Sequence, residues 1–266
     1  MSMFSLDNKV AIVTGGSRGL GLYMAEGLLQ AGAARVYISS RKKDACDKAV
    51  KELNHYVKQH GLKGEARSIP ADLGNIKGVE HLYSEFTKLE SKLDVLVANA
   101  GATWGEDLES HPDSAIGKVL DLNIRGVFNT IRAFVSLLEK SGSDEDPSRV
   151  LVTGSTGGLT AGLSGGTYGY VASKAGVHHL AKVLACELGP RNITVNTLAP
   201  GFFPSKMSNG VLSVIGDEVK NTNPRKRLGV KEDIIGATIY LTSKAGNYLN
   251  GVVLPIDGGA HVCARM

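Results

Sequence analysis

Cysteine is scarce in this chain of 266 residues. Cys46, Cys186 and Cys263 are odd in number and share no CxxC spacing, which argues against a disulfide framework or a zinc site and fits a reducing compartment. No metal site is expected. Charge of one sign is also lacking. The formal net charge is +4, too weak to argue for nucleic acid. No apolar run approaches membrane-spanning length, and no apolar stretch follows a basic start. Neither a membrane partner nor a secretory leader is expected, and the expected location is cytoplasmic. A minority alternative is peroxisomal, because Ala264-Arg265-Met266 loosely resembles a small-basic-apolar address. There is no internal repeat and no domain linker, so residues 1–266 read as one domain.

What is present is an alternation of short β-rich runs with longer amphipathic segments. Strands are expected at Lys9–Thr14, Arg35–Ser39, Glu65–Ile69, Leu93–Ala98, Arg149–Gly154, Ile193–Leu198 and Val252–Ile256. Several are continuous apolar runs, as for strands covered on both faces. Helices are expected at Leu20–Gln30, Lys43–Gln59, Ile76–Leu89, Asp113–Lys140, Tyr170–Leu188 and Lys231–Leu241. The rhythm predicts an α/β fold, a Rossmann-type doubly wound parallel sheet of about seven strands. Residues 202–229 have weak periodicity and many turn formers, and read as a flap beside a site.

Thr14-Gly15-Gly16-Ser17-Arg18-Gly19-Leu20-Gly21 follows the first strand and opens the first helix. Gly15, Gly19 and Gly21 let backbone approach a pyrophosphate, and the helix behind offers free N–H groups and a positive dipole end. Ser17, Arg18 and Leu20 belong to the same loop. The second strand lacks the acidic residue that would take a ribose 2′-hydroxyl; it runs into Arg41-Lys42-Lys43 instead. Arg41, with Arg18 in reach, suits a 2′-phosphate, so NADP(H) is expected over NAD.

Tyr170-Val171-Ala172-Ser173-Lys174 places a phenol and an ammonium on one helical face. The cation is expected to pull the phenol toward a working pKa. Ser155, after the fifth strand, can hold a carbonyl oxygen beside the Tyr170 hydroxyl.

With these motifs in place, the chain resembles the short-chain dehydrogenase/reductase family over essentially its whole length. The carrying residues are TGGSRGLG (14–21), ADL (71–73), NAG (99–101), LNIRGVF (122–128), Ser155/Tyr170/Lys174, NTLAPG (196–201) and DGG (257–259). The resemblance implies that Asp72, with Leu73, meets the adenine side of the cofactor and that Asn99, Ala100 and Gly101 line it. It also implies that Asn123 holds a water in a proton relay with Lys174, and that Pro200, Gly201, Phe203 and Ser205 sit at the nicotinamide. Hydride would pass directly between cofactor and carbonyl carbon while Tyr170 moves the proton. The stretches 102–105, 201–207 and 255–259 resemble a subgroup of 3-oxoacyl reductases linked to rhamnolipid synthesis and their fungal relatives.

Two features depart from the family pattern. Ala98 stands where a first asparagine is usual, and the step from Ser155 to Tyr170 is 15 positions where the family has roughly 13. Tyr168 would restore that spacing, but Ala172 would then stand where the lysine is needed. The expected function is reduction of a 3-oxoacyl or other hydrophobic ketone, a small-molecule carbonyl substrate. A polyol or secondary-alcohol dehydrogenase is the alternative, and a non-catalytic dinucleotide-binding sensor is a third reading. A homotetramer or homodimer is expected, with Phe128, Phe134, Val183 and Leu184 at the contact. His178 and His179 are assigned to interface packing, and Trp104 to a substrate wall or lid anchor.

Overall fold

Seven strands form one all-parallel sheet in the order β3-β2-β1-β4-β5-β6-β7. They are β1 Val10–Thr14, β2 Arg35–Ser39, β3 Glu65–Ser68, β4 Val95–Ala98, β5 Ser148–Thr153, β6 Ile193–Pro200 and β7 Val253–Ile256. The computed structural model describes residues 2–161 and 165–263. The C-terminal Ala264-Arg265-Met266 lies outside the described residues. All seven expected strands are present, with ends displaced by no more than two residues.

The continuous apolar strands follow from burial on both faces. On one face α1 (Gly19–Gln30), α2 (Lys43–Gln59) and α8 (Lys231–Thr242) supply Met24, Leu28, Leu53 and Ile234 to a core with Val13, Val36 and Val97. On the other, α3 (Ile76–Thr87), α5 (Val127–Glu139) and α6 (Tyr168–Leu188) supply Leu82, Phe86, Phe134 and Val177 against Ile12, Leu96 and Val150. Strand order reverses between β1 and β4, so a crevice opens beyond their C-terminal ends, where such sheets bind ligands. Registers Thr14↔Ser39, Ala98↔Val152 and Thr153↔Leu198 bring Thr14, Asn99, Ser155 and Gly201 to that same edge.

Two expectations need correction. The continuous helix over Asp113–Lys140 is instead α4 (Asp113–Leu120), a π-helical turn over Asp121–Gly126, and then α5. Uninterrupted apolar periodicity hides such a turn, and its cause is tertiary: Asn123 at its centre is pulled sideways, as described below. The flap contains a helix, α7 (Asn209–Thr222). Val219 is its only clearly buried side chain among the described residues; Leu212, Ile215 and Val219 do fall at helical spacing, but Asn209, Gly210, Gly216 and Asn221 among them read as turn formers. Among the described residues no helix is long and apolar enough to cross a membrane.

Candidate active site

The glycine loop is built to stay empty of side chains. Gly15 (φ +65°) and Gly19 (φ +56°) occupy the left-handed region. A Cβ on Gly15 would lie 3.0 Å from Ala100 Cα, and one on Gly21 only 2.4 Å from the Gly15 carbonyl oxygen. Around Gly19 the space is open except for Ser205 Cβ, 3.8 Å away. The first turn of α1 has no side-chain cap and no acidic residue, so its N–H groups face the crevice uncompensated. This cradle fits a pyrophosphate. Arg18 and Arg41 are exposed beside it, and neither guanidinium has a hydrogen-bond or ion-pair partner among the described residues. Asp72 is exposed past β3, and Leu73 beside it is buried.

Two threonines brace the loop. Thr14 Oγ1 donates to Val97 O (3.2 Å) and accepts from the N–H groups of Asn99 (2.9 Å) and Ala100 (3.0 Å). Thr153 Oγ1 donates to Asn99 Oδ1 (3.1 Å), while Asn99 Nδ2 donates to the carbonyls of Thr14 and Gly15. The Asn99 side chain therefore locks the glycine loop to β5, leaving its backbone toward the crevice.

The structure brings Ser155, Tyr170 and Lys174 together. Ser155 caps a 3₁₀ turn over Thr156–Gly158, its hydroxyl accepting from Gly157 N–H at 3.1 Å. The turn rests on α6: a Cβ on Gly158 would lie 2.6 Å from Ala175 N, and one on Gly157 would lie 4.0 Å from the Tyr170 ring. Helix α6 starts at Tyr168, two residues earlier than expected. Tyr168 is itself half-exposed and meets His111 edge to face, so it does not take the place of Tyr170. Just before α6, Gly166 is tied to the segment after β4, with Glu106 N–H donating to Gly166 O at 3.3 Å.

Lys174 is buried, donates to Thr153 O at 2.7 Å, and stands 5.6 Å from the Tyr170 ring centre. Burial lowers its pKa to about 8. The Tyr170 phenol was expected to be pulled down by this cation. Instead burial pushes it above the usual phenol range, against a smaller downward pull from the Ser155 side chain. Desolvation outweighs attraction because the ammonium lies over the ring face rather than at the oxygen.

Asn123 sits in the π turn and is buried. Its Nδ2 donates to Ala102 O and Ser173 Oγ, and its Oδ1 accepts from Ala102 N–H, each at 2.9 Å. Ser173 Oγ donates in turn to Tyr170 O at 2.7 Å. Both amide hydrogens are thus engaged, and only the second lone pair of Oδ1 is left for a water. Gly101 keeps that region open: a Cβ there would lie 3.3 Å from Asn123 Oδ1 and 3.7 Å from Lys174 Nζ.

Other placements were not expected. The Phe203 side chain is buried in the core beneath Gly229, so only its backbone is available to a nicotinamide. Pro200 ends β6, Gly201 N–H donates to Ile256 O, and Ser205 bonds Ser208. Phe134 is buried and cannot reach a partner subunit, whereas Phe128 and Val183 are exposed. His179 is exposed, but His178 is buried under Ser155. Among the cations that close the flap, Arg227 is held bidentately by Asp233 (2.6 and 2.9 Å) and Lys226 bonds Asn221 O. A cavity of about 230 Å³ opens between Phe202, Asn223, Arg225 and Asp257, but none of Ser155, Tyr170 and Lys174 lines it. The residues missed in the sequence are Thr14, Thr153, Ser173 and His178. The hydroxyls at the C-terminal ends of β1 and β5 were the available signal.

A glycine cradle at the switch point, with a Ser/Tyr/Lys set one strand away, defines a dinucleotide-dependent oxidoreductase. The chain belongs to the short chain dehydrogenase family, whose profile matches residues 9–213. It is 41% identical over 263 residues to the rhamnolipids biosynthesis 3-oxoacyl-[acyl-carrier-protein] reductase of Pseudomonas aeruginosa, covering 97% of this chain and 98% of that one. The fold matches the Pseudomonas aeruginosa RhlG/NADP active-site complex with a TM-score of 0.91 at 40% identity, over 98% of this chain and 99% of that one. It also matches a gluconate 5-dehydrogenase from Burkholderia cenocepacia in complex with NADP and tartrate, with a TM-score of 0.88, 27% identity and 98% of both chains covered.

Proposed function

We propose that this enzyme uses NADPH to reduce a ketone to a secondary alcohol, on a 3-oxoacyl or other hydrophobic carbonyl substrate. The observation that carries the reading is the buried Tyr170 beside Ser155, its phenol pushed up by burial, with buried Lys174 behind it. NADPH, when bound, supplies the hydride; the glycine cradle, Arg18 and Arg41 would hold its phosphates, and Lys174 and Asn99 to Gly101 would line it. A phenol held above its ordinary pKa keeps its proton at neutral pH, which is the form reduction needs. Ser155 and Tyr170 together orient the carbonyl oxygen. As negative charge grows there, Tyr170 Oη donates its proton and Ser155 Oγ its hydrogen bond. Lys174, at about 8, can then return a proton to the phenolate.

The relationship to the 3-oxoacyl reductase of Pseudomonas supports an acyl substrate, as do the exposed apolar side chains Trp104, Met207 and Val214 on the segments that follow β4 and β6. The exposed cations Lys206 and Arg225 suit an anionic carrier group. Exposed Phe128 and Val183 support assembly as a homotetramer or homodimer.

The test is NADPH oxidation over 3-oxoacyl thioesters of increasing chain length, beside sugars, polyols and short ketones. Efficiency should rise with acyl length, and Tyr170→Phe should abolish turnover while NADPH still binds. A flat profile, or preference for sugars or polyols, would replace the acyl reading with a polyol dehydrogenase. Full activity in Tyr170→Phe would overturn the catalytic assignment.

A further inference from the structure

His178 lies one helical turn beyond Lys174 on α6, and its imidazole fills a slot made by two glycines that flank Ser155. A Cβ on Gly154 would lie 2.1 Å from His178 Nε2, and one on Gly158 would lie 2.9 Å from Cε1. The β5–β6 ladder ends with Gly154 N–H donating to Leu198 O, so Ser155 N–H has no strand partner. It donates to His178 Nε2 instead, at 3.2 Å. The ring is buried, and no other hydrogen bond to it occurs among the described residues.

We propose that His178 is a positioning residue for this reaction: a neutral imidazole that holds the Ser155 backbone, and through it the Ser155 hydroxyl, against Tyr170. The inference rests on Ser155 being the group that binds the carbonyl oxygen. Only a ring without a proton on Nε2 can accept from Ser155, so the proton resides on Nδ1. Burial, with Lys174 and Lys182 adding repulsion, holds its pKa down to about 4 and keeps that neutral form throughout the working range. Gly154 follows from this arrangement, because a side chain there would occupy the ring's place, whereas Gly158 is required also by the α6 backbone, 2.6 Å from its Cβ position. A larger apolar residue in the same slot fills the volume but offers Ser155 no acceptor. The 3₁₀ turn would then be free to rotate, carrying the hydroxyl away from Tyr170 without touching the nucleotide cradle.

The test is a double-mutant cycle on NADPH-dependent reduction of a 3-oxoacyl thioester, with NADPH affinity followed by fluorescence. His178→Leu should lower kcat about tenfold, the scale of one lost hydrogen bond aimed at the reacting group, with NADPH affinity unchanged. His178→Gln places an amide oxygen near the Nε2 position and should recover most of the loss. In a Ser155→Ala background, His178→Leu should cost little more, since its effect runs through Ser155. If the losses multiply, or if His178→Leu turns over like the unmodified enzyme while Ser155→Ala does not, the positioning role is refuted and the catalytic assignment stands. If Ser155→Ala is itself without effect, the assignment and this inference both fall. Should His178→Leu not fold, His178→Gln against His178→Asn decides. Only Gln reaches the Ser155 amide, so equal activity of the two would refute the inference.

Discussion

Replacing Asn123 with alanine should damage catalysis as well as stability. The side chain makes three hydrogen bonds of 2.9 Å, two to Ala102 and one to Ser173, from a fully buried position. At about 1 kcal/mol each, their loss amounts to roughly 3 kcal/mol, because the backbone groups of Ala102 are left without that partner. A chain of this length loses roughly 0.6 kcal/mol per degree at its midpoint, so the melting temperature should fall by about 5 °C. At 25 °C such a protein remains almost wholly folded, and stability alone predicts unchanged turnover. The π turn, however, exists around Asn123, and Ser173 ties it to the Tyr170 carbonyl at the start of α6. With the amide gone the turn can relax toward a continuous helix, shifting residues 101–102 and the first turn of α6 against each other. Turnover at 25 °C should therefore drop by tenfold or more, about 1.4 kcal/mol. Calorimetry and steady-state kinetics on one preparation are the assay. A variant that melts 5 °C lower yet keeps full turnover would refute the link between the π turn and the site.

Arg41→Ala should reduce the preference for NADPH over NADH by about tenfold, with NADH kinetics little changed, since a charge-assisted bond to a 2′-phosphate is worth roughly that much. Equal loss with both cofactors would show that Arg41 does not read the phosphate. Gly19→Ala meets no steric barrier beyond Ser205 but must hold φ +56°, so about 1–2 kcal/mol of strain should appear in thermal melts. A variant as stable as the parent would mean that the loop relaxes. Phe128→Glu with Val183→Glu should convert the assembled protein to monomers by light scattering, whereas a parent that is monomeric at micromolar concentration would remove the assembly proposal. His178, at about 4 when folded against 6.5 ordinarily, makes the unfolded chain the better proton binder between those values. Stability should thus fall as pH drops from about 6.5 to 4, by up to about 3 kcal/mol from this residue, and urea midpoints of His178→Gln should show a correspondingly shallower slope. Identical slopes would place the imidazole proton elsewhere.

The sheet was legible because its strands are covered on both sides. Runs such as Val10–Thr14 and Val95–Ala98 have no polar face to confuse with a helix, and Gly, Asn and Asp mark the turns between them. The glycine loop and the Tyr170/Lys174 pair were legible because each obeys a local spacing. What stayed hidden lacks a local signal or has one that is obscured. In helix α7 the apolar residues Leu212, Ile215 and Val219 keep helical spacing, but glycines and asparagines between them read as turn formers, and Phe128 and Phe134 look alike in sequence although only Phe134 faces the core. The π turn is invisible because residues 113–140 keep a helical pattern throughout; only Ala102 and Ser173, 21 and 50 residues from Asn123, explain why the backbone widens there.

The electrostatics of the site could not be read from the sequence for a related reason. An i, i+4 pair of tyrosine and lysine suggests mutual stabilisation of phenolate and ammonium, and on an exposed helix that inference would hold. Here α6 is pressed onto β5 and β6, so both groups lose water together. Loss of solvation favours the neutral form of each, raising the phenol above its ordinary 10 and lowering the ammonium from 10.5 to about 8, so the two groups move apart in proton affinity and the phenol becomes the stronger proton holder. That ordering suits reduction better than a preformed phenolate would, because the proton rests on Tyr170. Once Tyr170 has given its proton to the substrate, the phenolate is the stronger base of the pair, so restoring the proton from Lys174 is downhill, as it would not be between exposed side chains. The neutral His178 fits the same logic: a second cation behind Lys174 would compete for the little solvation left, and an uncharged acceptor holds Ser155 without adding one.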